Sequence, residues 1–206
     1  VLQELLNRGV MDTGMIAAEG YDYEIIENIN LLHDGFSILL TLKSDGTMEK
    51  TVIGSIVESL EVNPENKKDF ERLKEIFCAD SLQIVSFTIT EKGYSLKGAD
   101  GQYFSDVEKD LKRGPEAPES YIGKIASLLY ERYQSGGKRI AMVSMDNCSH
   151  NGDRLKEAME TFALAWEKNG RAEEGFLSYL QDREKVSFPW SMIDKITPRP
   201  DKRAEE

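Results

Sequence analysis

The sequence predicts an α/β fold whose doubly wound, mostly parallel sheet is interrupted by one antiparallel hairpin. Three observations predict it. Apolar runs of strand length, at 14–18, 82–90 and 139–145, alternate with segments whose apolar residues recur at helical spacing. These runs are nearly continuous in apolar character, the pattern of strands covered on both faces. One strong hairpin turn, Ser44-Asp45-Gly46, separates two further runs, the second rich in Val and Ile.

The chain opens in the back half of a helix, with Leu2, Leu5 and Leu6 on one face and Gly9 where a C-terminal cap belongs. Residues 14–18 read as a buried parallel strand that stops at Glu19-Gly20. Residues 23–30 predict a short helix, although Ile25, Ile26 and Ile29 also allow a strand. The hairpin strands are 36–43 and 48–62. Asn63-Pro64-Glu65 supplies an N-cap, a first-turn proline and a first-turn acid, opening a helix with Phe70, Leu73, Ile76 and Phe77 on one face. Residues 82–90 are the next buried strand. Residues 100–118 are polar and hold two prolines, so they read as a surface excursion with one helical turn. A long helix over 120–134 carries Ile122, Ile125, Leu128 and Leu129 and stops at Gly136-Gly137. Strand 139–145 and helix 153–168 come next, the helix with Leu155, Met159, Phe162 and Trp166. A shorter helix over 175–182 leads to Val186-Ser187-Phe188-Pro189, and the charged tail after Pro198 is expected to fray.

With 206 residues, 40% hydrophobic and 31% charged, the chain has the apolar content for a sizeable core. Asp and Glu outnumber Lys and Arg by 37 to 26, for a formal charge of −11. That excess repels phosphate backbones and anionic lipid, so neither nucleic acid nor membrane is an expected partner. The longest apolar run, 36–42, is strand-sized, and no basic segment precedes an apolar one, so no secretory signal is read. Cys78 and Cys148 are too few for a disulfide framework and fit a reducing compartment, which makes the expected location cytoplasmic.

Ligands of open parallel sheets bind beyond the carboxyl ends of the strands. That rule selects Glu19, the group Thr88-Ile89-Thr90-Glu91, and Asp146-Asn147, although ordinary turns collect the same residue types. An acid at the end of the second strand of a dinucleotide-binding unit accepts hydrogen bonds from both adenosine ribose hydroxyls and repels a 2′-phosphate. Glu19 fits that role, favouring NAD over NADP, with Asp22 as the competing choice and a plain turn acid as the alternative. No Gly-x-Gly-x-x-Gly loop occurs; Gly93 and Gly98 lack the spacing, and Gly136-Gly137 closes a helix instead of opening one. A dinucleotide reading therefore puts the first strand and phosphate loop upstream of Val1, and such a loop would lead directly into the opening half-helix.

His33, Cys78, Cys148 and His150 are the only imidazole or thiol ligands and show no metal-binding spacing, so no metal is expected. No Gly-x-Ser-x-Gly elbow is present. Cys148 is either a reactive thiol or, more commonly for such residues, a buried structural one. Trp166 and Trp190 read as packing residues.

Ser144-Met145-Asp146-Asn147, then Asn151-Gly152 opening a helix, then the block from Phe188-Pro189-Trp190 through Asp194 to Thr197-Pro198 together resemble the N-terminal domain of the mannitol dehydrogenase family. These are the polyol-specific long-chain dehydrogenases, which include fructuronate and tagaturonate reductases. Val52-Ile53-Gly54-Ser55-Ile56 and Thr88-Ile89-Thr90-Glu91-Lys92-Gly93-Tyr94 resemble the same domain in the same order. The likeness runs from about Leu31 to Pro198. Ile193 and Lys195 stand where the family has Val and Arg, and lysine lacks the planar fork of arginine.

The resemblance implies a Rossmann-like fold and reversible hydride transfer between NAD(H) and an open-chain sugar alcohol or hexuronate, such as mannitol/fructose or mannonate/fructuronate. It assigns Asn147 to the reacting oxygen, Asp194 to substrate hydroxyls and Glu91 to an active-site acid near the nicotinamide. Thr90 joins Glu19 and Asp22 on the cofactor side. The family's general acid/base is a lysine in a helical C-terminal domain, with an asparagine and a histidine after it. Asn147 and His150 reproduce the last spacing, but Met142 stands where the lysine belongs, so that lysine is not in these residues. Residues 1–198 are then an NAD-binding domain incomplete at its start, and 199–206 a charged tail leading toward an absent helical catalytic domain. The isolated 206 residues are expected to be inactive. The alternative is a non-catalytic α/β binding or interaction domain that retains the fold.

Overall fold

The computed structural model describes residues 2–26 and 32–193, the Ile25 side chain excepted. The chain forms two compact units that divide after Val62.

In the first unit, helix α1 (Leu2–Asn7) ends at Gly9, whose φ of +65° lets its N–H reach the Leu6 carbonyl at 3.0 Å. Strand β1 (Met15–Glu19) comes next, then the short helix α2 (Glu24–Ile26). The rest of the helix expected over 23–30 lies outside the described residues. Strands β2 (Ser37–Leu42) and β3 (Met48–Ile53) form the expected antiparallel hairpin. At its turn the Asp45 carboxylate accepts the Thr47 N–H and hydroxyl at 2.9 and 2.6 Å, and Gly46 takes a φ of +83°.

The single return strand expected over 48–62 is in fact two. It breaks at Gly54-Ser55, after which β4 (Ile56–Glu61) leaves the hairpin and pairs in parallel with β1, Ala17 opposite Ser59 and Glu19 opposite Glu61. Glycine permits the break: a Cβ on Gly54 would meet the Phe36 ring at 2.9 Å, and the Gly54 N–H donates to Gln3 Oε1 at 2.7 Å. The Ser55 carbonyl then accepts the Met15 N–H at 2.7 Å and starts the parallel ladder. Strand 14–18, expected to be buried, has Gly14, Met15 and Ala18 exposed and Ile16 and Ala17 half-buried. Among the described residues of this unit, its only strand partner is β4 and no helix is longer than six residues.

The second unit contains α3 (Lys67–Cys78), β5 (Ile84–Phe87), α4 (Thr90–Gly93), α5 (Ser105–Arg113), α6 (Tyr121–Gln134), β6 (Ile140–Ser144), α7 (Asn151–Lys168), α8 (Phe176–Gln181) and β7 (Val186–Ser187). Its sheet is parallel throughout, in the order β5-β6-β7. The core gathers Leu128, Leu129, Met142, Leu155, Met159, Phe162, Trp166 and Phe176, all fully buried.

Three expectations shift here. Helix α3 begins at Lys67, with Asn66 as its N-cap accepting the Asp69 N–H at 3.3 Å; Asn63-Pro64-Glu65 forms the preceding turn, where Asn63 Oδ1 accepts the Glu65 N–H. Strand 82–90 shrinks to the four residues of β5, an edge strand among the described residues, with Ile84 exposed and only Phe87 buried. The excursion over 100–118 holds the nine-residue α5, which buries Val107, Leu111 and Asp110. Asp110 is polar in sequence but serves inside, its carboxylate accepting the Glu119 and Ser120 N–H groups at 2.8 Å and so fixing the start of α6. Fully buried Arg132 does the same for strand starts. Its guanidinium donates to the carbonyls of Phe77, Ala79, Leu82, Lys138 and Arg139 at 2.5–3.1 Å, tying the C-terminal end of α3 and the entry to β6 onto α6. Among the described residues no helix is long and apolar enough to cross a membrane.

Candidate functional site

Strands β5 and β6 run side by side with Phe87 opposite Ser144, so both chains emerge at one rim. The Met145 N–H extends the ladder to the Phe87 carbonyl at 2.8 Å. Asp146 is next, 8% exposed. Its Oδ2 accepts the Ile89 N–H at 2.9 Å and the Tyr94 hydroxyl at 2.5 Å, and its Oδ1 accepts the Thr90 N–H at 3.0 Å. Tyr94 is buried and in turn accepts the Ser144 hydroxyl at 2.8 Å. Burial, then the hydrogen-bonded Asp146 carboxylate, pushes the Tyr94 phenol far above its ordinary range, so it stays a donor.

The segment these bonds hold carries two of the expected residues. Thr90 sits at φ +63°, in the left-handed region that a β-branched side chain rarely adopts. Glu91 is exposed and pairs with Arg154 Nη1 at 2.9 Å, while Arg154 Nε donates to the Ser149 carbonyl at 3.2 Å. Asn147, directly after Asp146, is exposed, and its amide has no hydrogen-bond partner among the described residues. The structure therefore brings Thr90, Glu91 and Asn147 to one rim. A cleft of about 300 Å³ opens beside it, lined by Tyr94, Lys97, Tyr103 and Arg154 among others.

Asn151 joins this rim to the segment after β7. Its Oδ1 accepts the Ser191 N–H at 3.1 Å, and its Nδ2 lies 3.1 Å from the Asp146 carbonyl and 2.9 Å from the Ser191 hydroxyl. Gly152 makes the approach possible, since a Cβ there would lie 2.5 Å from the Phe188 carbonyl. Asp194 lies outside the described residues. Asp146, Tyr94 and Asn151 stand inside the sequence motifs, but spacing alone does not reveal that their side chains turn inward and bond to each other's segments.

Trp166 packs as expected, its indole N–H donating to the Asp110 carbonyl at 2.8 Å. Trp190 does not: it is 60% exposed and stacks on the His150 ring at 4.4 Å. It follows Pro189 in the segment after β7. Cys148 is half-buried. Burial raises its thiol pKa; Arg154 opposes that, and Glu91 and Asp146 add to it, so the protonated form is favoured. No group of three or more His, Cys, Asp or Glu residues is arranged to hold a metal among the described residues.

In the first unit, Glu19 ends β1 half-buried. Its Oε1 accepts the Gly20 and Tyr21 N–H groups at 2.8 Å, as a turn acid does, and its Oε2 has no hydrogen bond among the described residues. Asp22 is exposed and caps α2, its Oδ1 accepting the Glu24 N–H at 3.2 Å. Of the two, Glu19 stands at a strand end with Oε2 free of hydrogen bonds among the described residues.

The model of the mannitol dehydrogenase Rossmann domain matches residues 7–206. The D-mannonate oxidoreductase of Thermotoga maritima is 45% identical over all 206 residues, which cover 38% of that protein. The D-mannonate oxidoreductase of Escherichia coli K12 is 32% identical over 184 residues, 87% of this chain and 35% of that protein. A solved structure of Pseudomonas fluorescens mannitol 2-dehydrogenase, a ternary complex with NAD and D-mannitol, aligns with a TM-score of 0.78 at 26% identity, over 98% of this chain and 39% of that one. The chain thus spans less than two fifths of the length of these relatives.

Proposed function

Because this chain belongs to the mannitol dehydrogenase family, we infer that it is the cofactor-binding part of an NAD-dependent dehydrogenase acting on an open-chain sugar alcohol or hexuronate. Residues 1–198 form that part, and the helical domain that completes the catalytic site belongs to the rest of the protein. What carries the reading is the rim at β5 and β6: a buried carboxylate, Asp146, bonds the turn bearing Glu91 to the strand end bearing Asn147. The D-mannonate oxidoreductase relatives favour a sugar acid, a hexonate such as mannonate interconverted with its keto form, over a neutral sugar alcohol.

Bound NAD supplies the hydride acceptor, and NADH the donor. The chain's own residues do the rest of what this half can do. Glu19 Oε2 accepts the adenosine ribose hydroxyls, and its charge disfavours a 2′-phosphate. Asp22, already a helix cap, is the weaker choice. Thr90 and Glu91 line the nicotinamide side of the rim. The Asn147 amide, which has no bond to break among the described residues, donates to the reacting oxygen as negative charge develops there. Asp194 takes a substrate hydroxyl. The proton is handled by a lysine outside these residues, so the isolated 206-residue chain has no turnover.

The test is an assay of the full-length protein against sugar alcohols and hexuronates with both nicotinamide cofactors. Asn147→Ala should lower turnover by about a hundredfold, as loss of an oxyanion donor does. Wild-type turnover in that variant removes Asn147 from the mechanism, and brisk turnover by the isolated chain removes the proposed division between domains.

A further inference from the structure

We propose that Asp146 is a positioning residue for this reaction, a clamp whose carboxylate holds the turn carrying Glu91 in register with Asn147. The proposal rests on the functional reading above and deepens it, by making the rate of the reaction depend on the bonds that Asp146 makes.

Four observations carry it. The carboxylate is 8% exposed and makes no ion pair among the described residues; two backbone N–H groups and one phenol are its partners. A buried anion without a cation is a costly element, kept only where its hydrogen bonds are well made. Ile89 (φ −124°, ψ 9°) and Thr90 (φ +63°) turn successive N–H groups toward one point, the concave arrangement that receives anions, and Asp146 is the anion in it. The same carboxylate also binds Tyr94, the C-cap of α4, so the four-residue helix bearing Glu91 is held at both of its ends. Finally, the Asp146 carbonyl lies 3.1 Å from Asn151 Nδ2, which fixes the peptide joining Asp146 to Asn147. One side chain is therefore the joint between the two residues that face the substrate.

An asparagine at this position offers one acceptor oxygen and an NH2 group. One of the N–H groups would then face an N–H2, and the left-handed conformation of Thr90 would lose its support. Thr90→Gly supplies a residue that holds that conformation without strain.

In the full-length protein, Asp146→Asn should lower kcat by about a hundredfold, the scale of a misplaced catalytic group, while the NADH Kd stays within about threefold of wild type. Tyr94→Phe keeps both backbone bonds and should lose about tenfold at most. Adding Thr90→Gly to Asp146→Asn should restore about a tenth of the wild-type rate or more, a recovery that general destabilisation would not give. Independently of activity, amide exchange at Ile89 and Thr90 should accelerate in Asp146→Asn, with the slow amides of α6 unchanged. Wild-type kcat in Asp146→Asn overturns the clamp, as does a loss of kcat matched by equal losses of NADH affinity and melting temperature, or a double variant with no recovery. A wild-type protein inactive on every polyol and hexuronate overturns the functional reading instead, and the clamp falls with it.

Discussion

Each unit ends a parallel strand with a carboxylate, and the two carboxylates behave differently. In the second unit, β6 has a strand on both edges and helix α7 packed against it, and Asp146 just beyond its end is nearly sealed from water. In the first, β1 pairs only with β4 among the described residues, and Glu19 stays half in solvent. A sealed carboxylate must find all its partners inside the protein, so Asp146 is spent on geometry. A half-exposed one can exchange water for ligand hydroxyls at little cost, which is what the role proposed for Glu19 requires. The surrounding apolar residues divide in the same way. Ile38, Val52 and Val57 of the first unit are each more than 60% exposed, whereas Phe162 and Trp166 of the second are not exposed at all.

The largest expected effect tests that contrast directly. Trp166 meets Tyr130, Phe162 and Phe176 at ring distances of 5.5–6.5 Å and donates to Asp110, so Trp166→Ala should cost about 3–5 kcal/mol of unfolding free energy. Val57→Ala should stay within about 0.5 kcal/mol, because the side chain already meets water. Urea unfolding monitored by circular dichroism measures both. Comparable losses would mean that the first unit is as well packed as the second.

The same contrast explains what was legible in the sequence. Helices were legible where an apolar face repeats, as in α3, α6 and α7, and the hairpin was legible from its turn. Burial of the strands was not, because an apolar run shows what can be covered, while coverage depends on what lies over it; Ile84 and Met15 read as core and are exposed. Buried polar residues failed in the opposite sense. Asp110 and Arg132 look like surface charges, and only the fold shows that they satisfy helix-end and strand-end backbone groups. At the rim, strand-end logic points to Glu91 and Asn147, but not to the inward turn of the Asp146 side chain, since its partners at Ile89, Thr90 and Tyr94 lie more than fifty residues away.

An intermediate effect sharpens the comparison through two glycines. Gly152→Ala forces a Cβ against the Phe188 and Pro189 carbonyls at 2.5 and 2.7 Å, backbone atoms with no room to give, and should cost about 1–3 kcal/mol. Gly9→Ala meets nothing within 4 Å, and its only penalty is the left-handed φ of +65°, about 1 kcal/mol. Melting temperatures of the two variants should fall in that order. Asn147-dependent turnover of the full-length protein should suffer only in Gly152→Ala, because Asn151 links that contact to the rim.

The smallest effect concerns pH and belongs to the first unit. At the hairpin turn, the Thr47 hydroxyl and then its N–H bond the Asp45 carboxylate and lower its pKa below the ordinary 3.8, although the group is fully exposed. A carboxyl whose folded pKa is depressed lends stability that is fully present above its unfolded pKa and is lost as pH falls through the folded value. Asp45→Asn should therefore speed amide exchange in β2 and β3 near neutrality, with the difference from wild type shrinking as pH falls from about 5 to about 2.5. Exchange in β5 and β6 should not respond to this substitution at any pH in that range. A difference that persists undiminished at the acid end would assign the turn's stability to the shape of the side chain and not to its charge.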